Sequence, residues 1–315
     1  MALTSIITVN YNQLGVTLDL LNSIKNNCAL DEIEVILVDN ASDIDYETQF
    51  KASYPTLKYI RSEVNLGFAG GNNLGIQQAT GQHILMINND TELIPGFVEQ
   101  LNAEMLAHPE IGILSPLILY HDDPDIIQYA GYTPINLITG RNKTIGLGQL
   151  NKSQYANASY ETSFCHGAAM MLRKADIDQI GMMPELYFLY YEELDWCEMF
   201  KRAGKKIWFT GKTHILHKES MSVGKESAIK TYFLTRNRLL FMRRNTNMIN
   251  VMLFSLYYLL IAVPKQLFGY LLKGRTDLIP FVFKGLLWNL FHSKNHLTSQ
   301  LDNNLIIAPT INSSK

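Results

Sequence analysis

Short apolar runs alternate with helix-spaced apolar positions through the first 120 residues. Leu3 to Val9 reads as a first strand, and Glu34 to Val38 as a second, apolar apart from its first residue. Between them Leu14, Leu18, Leu21 and Ile24 recur at helical spacing. Residues 44–53 predict a helix and 57–60 a third strand. Ile84 to Ile87 reads as a buried fourth strand, followed by a helix over 96–107 and a strand over 111–119. This alternation is that of a mostly parallel sheet covered by helices.

The pattern then loosens. Residues 121–162 are rich in Asp, Gly, Asn and Tyr without a clear period, an excursion of the kind that shapes substrate sites. Regularity returns over Ser163 to Arg173, whose small residues, Gly167 to Ala169, suit close packing or, alternatively, a pocket wall. An aromatic, strand-like run from Tyr187 to Tyr191 enters a helix near Glu192, with Gly204 placed as its C′ residue. Residues 207–209 and 213–216 suggest two short strands. Residues 228–245 read as a basic helix. Ile249 to Val263 is almost wholly apolar but short of the roughly 20 residues that span a bilayer.

Length allows one large domain with an extension, or two domains. The expected division is 1–224, itself split at 120 into two halves, then 225–294, then a polar tail over 295–315. The net charge of −2 selects no partner, but its distribution does. From Lys225 to Lys294 there are eleven Lys and Arg against Glu226 and Asp277 alone. Basic and apolar together, 228–294 predicts amphipathic helices on an anionic membrane surface rather than a nucleic-acid partner, the alternative being a helical dimer interface or ordinary core. Cys28, Cys165 and Cys197 have no metal or redox spacing, which fits a reducing compartment. The N-terminus lacks a basic region and is not read as a signal peptide.

Chemistry concentrates where strands end. Both Val38-Asp39-Asn40 and Asn88-Asn89-Asp90 follow buried strands, and ligands of open α/β sheets bind beyond the carboxyl ends of strands. An acidic residue there can hold a divalent cation; read alone, the second stretch is equally a strand-to-helix turn capped by Asp90 or Thr91. Four glycines (67, 70, 71 and 75) predict a turn leading into a helix at Ile76, structural or phosphate-facing. No Gly-Lys-Ser/Thr follows, so it is not a P-loop. Glu192, Glu193 and Asp195 suit a helix N-terminus, yet carboxylates crowded beside aromatic rings raise one another's pKa, as a base working near neutral pH requires. His214 and His217 are candidate ligands or ordinary structural histidines.

Thr8-Val9-Asn10-Tyr11-Asn12, Val38-Asp39-Asn40-Ala41-Ser42, the Asn65 to Gly75 stretch, Asn88-Asn89-Asp90 and Glu192-Glu193-x-Asp195-Trp196 occur in that order. The ordered set, over about residues 3–224, resembles the family 2 glycosyltransferases, in particular their bacterial rhamnosyltransferase-like branch, to which galactofuranosyltransferases are similar. The resemblance implies a GT-A nucleotide-sugar-binding fold, Rossmann-like, here with the C-terminal amphipathic helical extension. It implies inverting transfer of a sugar, L-rhamnose from dTDP-rhamnose by preference, to a hydroxyl of a lipid-linked glycan in cell-surface polysaccharide synthesis. Peripheral association with the cytoplasmic face of the bacterial membrane follows; a homo-oligomer is left open.

By position the resemblance assigns Thr8, Asn10 and Tyr11 to the nucleotide site, and Asp39 to a pyrimidine N3–H. It places Gly71 and Asn72 near the nucleotide or donor sugar. Asp90 would bind Mg²⁺ or Mn²⁺, with His217 completing the site and Asn88 standing where the family's Asp-x-Asp motif has its first carboxylate. Glu193 falls at the base, Glu192 next in line, and Asp195 where it can orient the acceptor. The alternatives are a galactofuranosyl- or other hexosyltransferase using a UDP-sugar, and a non-catalytic nucleotide-sugar-binding scaffold at the membrane, motivated by Asn88. A nucleotidyltransferase is disfavoured, since no N-terminal Gly-rich loop with Arg or Lys is present.

Overall fold

The computed structural model describes residues 3–218 and 227–297. Residues 219–226 and most of the 295–315 tail lie outside them. The chain runs β1 (Thr4–Asn10), α1 (Leu14–Asn27), β2 (Ile33–Asp39), α2 (Glu47–Ser53), β3 (Lys58–Arg61), α3 (Gly67–Gln77), β4 (His83–Ile87), β5 (Thr91–Leu93), α4 (Phe97–Ala107) and β6 (Ile111–Tyr120). It continues through β7 (Ile127–Tyr129), β8 (Ser159–Glu161), β9 (Ala169–Arg173), α5 (Lys174–Ile180), α6 (Glu192–Arg202) and β10 (Lys206–His217). Helices α7 (Ala228–Asn245), α8 (Met248–Tyr257), α9 (Val263–Leu272) and α10 (Ile279–Phe291) complete it.

One sheet orders its strands β3-β2-β1-β4-β9-β6-β10-β5. It is parallel through β3, β2, β1 and β4, and mixed beyond, because β9 returns antiparallel between β4 and β6. Alternate side chains face opposite layers, as strand geometry requires. Ile6, Val35 and Leu85 meet α1, α2 and α4 through Leu21, Phe50 and Leu101. Ile7, Ile36 and Ile84 share the other core with Ile76 of α3, Trp196 of α6 and Leu240 of α7. The register pairs Asn10 with Asp39, so β1 and β2 end level with each other.

Five local expectations are corrected. The glycines of 67–75 lie within α3 rather than in a turn before it. The helix packs against the sheet so closely that a Cβ on Gly75 would collide with the Ile7 side chain, and one on Gly71 would come within 2.9 Å of Val9. Residues 207–209 and 213–216 belong to one strand, β10, with an irregularity between Thr210 and His214. The aromatic run 187–191 is no strand: a 3₁₀ turn, Glu185–Tyr187, leads into positive φ at Phe188, Tyr190 and Tyr191. Helix α7 is no membrane-surface helix but part of the core, with Arg236, Asn237, Leu240 and Met242 buried, so residue 224 does not bound the core. Finally, α8, a π-helical stretch (Tyr258–Ala262) and α9 run on as one 25-residue helix, Met248–Leu272, longer than the apolar run suggested. That helix is long and apolar enough to cross a membrane by length and composition.

Candidate active site

The carboxyl ends of β1 and β2 form a closed polar network. Asn10 Nδ2 donates to Asp39 Oδ2 at 2.8 Å and to Ser42 Oγ at 3.1 Å. Asp39 Oδ1 accepts from the Ser42 backbone N–H at 2.9 Å and from Arg61 Nη1 at 3.2 Å. Asn10 Oδ1 in turn accepts from Thr17 Oγ1 at 3.0 Å, binding the start of α1. Asp39 is fully buried, and the free lone pair of Oδ2 is what it has left for a ligand. Thr8 Oγ1, on the same strand as Asn10, is buried without a partner. Tyr11 follows half-buried at the strand's end.

The Gly-rich helix is less available than its sequence suggests. The first N–H of α3 beyond Gly67, that of Phe68, donates to the Phe188 carbonyl at 2.8 Å. Gly67, at φ 72°, has that carbonyl where a Cβ would stand. Asn72 turns its amide back to the Phe68 carbonyl at 2.9 Å. Asn73 ties α3 to Met183 and Glu185. Gly71 packs on Val9 and beside Asn40. Here α3 frames the site and docks the loop opposite.

Beyond β4, Asn89 Nδ2 donates to Thr17 Oγ1 at 2.8 Å, while half-buried Asn88 engages through its backbone, to the Ala168 carbonyl and from Thr91 Oγ1. Asp90 is buried and lies 3.2 Å, Oδ1 to Nε2, from His217 at the end of β10. His217 Nδ1 meets Gln128 Oε1 at 2.8 Å. An Nδ1 proton there leaves the Nε2 lone pair facing a carboxylate oxygen that has no hydrogen-bond donor. Two electron-pair donors face to face suit a divalent cation beside them. Among the described residues no group of three or more His, Cys, Asp or Glu forms a metal cage. Such a cation would therefore complete its shell with substrate oxygens and water.

The third corner is the start of α6. Glu192 is buried and its Oε2 has no partner; burial, then the Glu193 charge, push it well above the usual carboxylate range. Glu193 is half-buried, and burial pushes it up to about 7. Asp195, which the resemblance turned toward an acceptor, instead faces α7. It is fully buried, accepting from Arg244 Nε at 2.8 Å and from Asn245 Nδ2. The loop before Glu192 is strained, since αL geometry at a non-glycine residue costs roughly 1–2 kcal/mol. Helix α7 holds it there: Asn237 Nδ2 donates to the carbonyls of Tyr187, Leu189 and Tyr190, and Arg236 Nη2 to those of Leu186 and Tyr187.

His166 and Gly167 bridge these corners, and their role was not legible in sequence. The His166 ring lies 5.9 Å from that of His217 and stacks on Tyr132 at 6.2 Å. Its Nδ1 accepts from the Ala168 N–H, and burial, with His217 beside it, pushes it down to about 3, so it stays neutral. A Cβ on Gly167 would touch Phe68 and the Glu193 Cγ. Burial and then the Glu193 charge raise the Tyr132 phenol, placing the two within electrostatic reach. The only sequence signal was the small-residue stretch that begins at Gly167. Asn237 and Arg236 gave no signal at all, because their partners are some fifty residues away.

Residues 5–181 match the model of Glycosyl transferase family 2. A low-salt glycan biosynthesis hexosyltransferase of Haloferax volcanii is 27% identical over 212 residues, 66% of this chain and 66% of that one. An N-acetylglucosaminyl-diphospho-decaprenol L-rhamnosyltransferase of Mycobacterium tuberculosis is 23% identical over 62% of this chain and 70% of its own. The match thus spans about two thirds of the length of these relatives. Among solved structures, a mannosyltransferase of Pyrobaculum calidifontis, in complex with GDP-Man and Mn2+, superposes with a TM-score of 0.56 at 13% identity, covering 92% of this chain and 87% of that one. The fold is of the GT-A type.

Proposed function

This chain belongs to glycosyl transferase family 2, and on that premise we propose that it transfers a sugar from a nucleotide donor, with inversion, to a hydroxyl of a lipid-linked glycan. The observation that carries the reading is the half-buried Glu193, pushed up to about 7 at the edge where Asp90 and His217 also converge. A base of that pKa is part-deprotonated at neutral pH and strong enough to take a hydroxyl proton. In a single displacement Glu193 accepts the acceptor's O–H proton as the oxygen attacks the anomeric carbon, and the nucleoside diphosphate departs. Glu192, protonated beside it, keeps a second negative charge out of the corner. Asp195 is read as an anchor of α6 to α7.

Asn10, Thr8, Tyr11 and Asp39 would receive the nucleotide, with Gly71, Asn72 and Asn88 framing its sugar side. Asp90 and His217 would hold Mg²⁺ or Mn²⁺, whose charge, when bound, offsets that of the leaving diphosphate. L-Rhamnose from dTDP-rhamnose is the preferred donor, supported by the name of the mycobacterial relative; a hexose is the alternative, supported by that of the haloarchaeal one. The helix Met248–Leu272, exposing Met252, Leu256, Leu260 and Phe268, supports peripheral association with a membrane. A panel of sugar nucleotides with and without Mn²⁺, read by thermal stability, tests the donor. A metal-dependent rise with dTDP-rhamnose is expected; a rise with UDP-sugars alone would replace the sugar, and none at all would remove the nucleotide site.

A further inference from the structure

Two arginines beside Tyr258 play no part in the transfer chemistry above. Arg238, on α7, donates from Nε to the Tyr191 hydroxyl at 3.2 Å, and its guanidinium carbon lies 5.5 Å from the Tyr258 ring centre. Tyr191 is the residue immediately before the Glu192–Glu193 pair. The rest of Arg238's donors meet no partner among the described residues. Arg141 reaches the same place from the 121–162 excursion, where Asn136 and Arg141 close a tight turn. Gly140, its neighbour, is pressed against the Phe254 ring, and that ring stacks on Tyr258 at 5.0 Å. Arg141 is exposed, forms no ion pair among the described residues, and lies close enough for its charge to act on the Tyr258 hydroxyl.

Two guanidinium groups thus serve the surroundings of Tyr258, neither of them in an ion pair among the described residues. On one side is the loop leading to Glu193; on the other is the exposed apolar surface of Met248–Leu272, with Leu259, Leu260 and Ile261 outward. Like charges gathered without an anion repel, so the arrangement is stabilised by whatever anion enters it. A guanidinium fork matches phosphate oxygens, and a phosphate attached to a long hydrocarbon has an apolar surface directly beside it. We propose that Arg141 and Arg238 bind the phosphate groups of the lipid-linked acceptor, directing its sugar toward Glu193 and its hydrocarbon along Met248–Leu272. The inference rests on the lipid-linked acceptor proposed above. The same phosphate chemistry is carried by a bilayer headgroup, which the test separates.

The test uses the full chain in phosphatidylcholine vesicles with EDTA, with geranylgeranyl diphosphate as the probe and geranylgeraniol as the phosphate-free control. The Arg141→Gln/Arg238→Gln double variant should bind the diphosphate about ten-fold more weakly or worse, the worth of one charge-assisted hydrogen bond, and the alcohol as the wild type does. Unchanged diphosphate binding overturns the proposal, as does an equal loss for both probes. Arg141→Gln alone, on an exposed turn, should lose affinity in the same direction and keeps the test valid if the double variant does not fold. Sedimentation with phosphatidylglycerol vesicles should be unaffected; a parallel loss there would mean the arginines read headgroups, and would also overturn it. Donor binding with Mn²⁺ on the same preparations reports separately on the transfer reading, whose failure would leave no sugar-nucleotide shift in wild type or variants.

Discussion

Two acidic corners of one site are built in opposite ways. At the ends of β1 and β2, buried Asp39 accepts from Asn10, Ser42 and Arg61. At the start of α6, Glu192 is just as buried with one oxygen unpartnered, and the chain reaches it through three non-glycine residues at positive φ. One turn further, Asp195 returns to the first pattern, paired with Arg244 and Asn245. A carboxylate given several donors serves as a fixed acceptor; one whose burial outweighs its few backbone donors holds its proton to higher pH. The first arrangement suits recognition and the second suits proton transfer. The strain of the second is sustained from outside, by Asn237 and Arg236 of a helix that composition alone assigned to a membrane surface.

The sharpest way to break the contrast is Glu193→Gln. It should lower turnover by a factor on the order of 10²–10⁴ with donor binding retained, the usual worth of a general base. Its effect on stability has a definite sign. Because burial raises Glu193 above its ordinary 4.5 to about 7, the folded state favours the protonated form. Its stabilisation is full below about 4.5 and is lost as pH rises through about 7. Thermal melts across that window should show Tm falling with pH, with a flatter slope in Glu193→Gln.

Asp195→Ala comes next. It removes the buried carboxylate that Arg244 Nε and Asn245 Nδ2 share and should cost on the order of 3 kcal/mol in urea unfolding, while the protein that remains folded still turns over. Asn237→Ala removes the donor to three loop carbonyls and should cost about 2 kcal/mol. It should lower kcat more than it raises the donor KM, since the loop it releases carries the base and not the nucleotide. The smallest effect sharpens the contrast from the other corner. Thr8→Val removes a buried hydroxyl without a partner and should stabilise the free protein by about 1 kcal/mol. If that hydroxyl meets the nucleotide, calorimetry should show weaker donor binding in the same variant.

What could be read from sequence was what depends on neighbours along the chain. The strand and helix alternation to Tyr120, the polar strand ends and the acidic start of α6 all follow from local pattern. The errors share one cause. Glycines in α3 signalled a turn, but they are there because Ile7 and Val9 leave no room for a Cβ. Tyr187 to Tyr191 has strand propensity, but carbonyl bonds to Asn237 override it. Counting Lys and Arg could not distinguish Arg236, fully buried among Phe233 and Trp288, from a cation at a membrane. His166 was invisible because its partners, His217 and Tyr132, come from other strands and loops.

The central claim is that the buried acidic corner at the start of α6 holds the base. The pH dependence of kcat at saturating donor and acceptor tests it most directly. The account predicts activity rising with pH to a plateau, with a midpoint near 7, and no such limb in the residual activity of Glu193→Gln. A midpoint near the ordinary carboxylate value, or the same limb in Glu193→Gln, would contradict it.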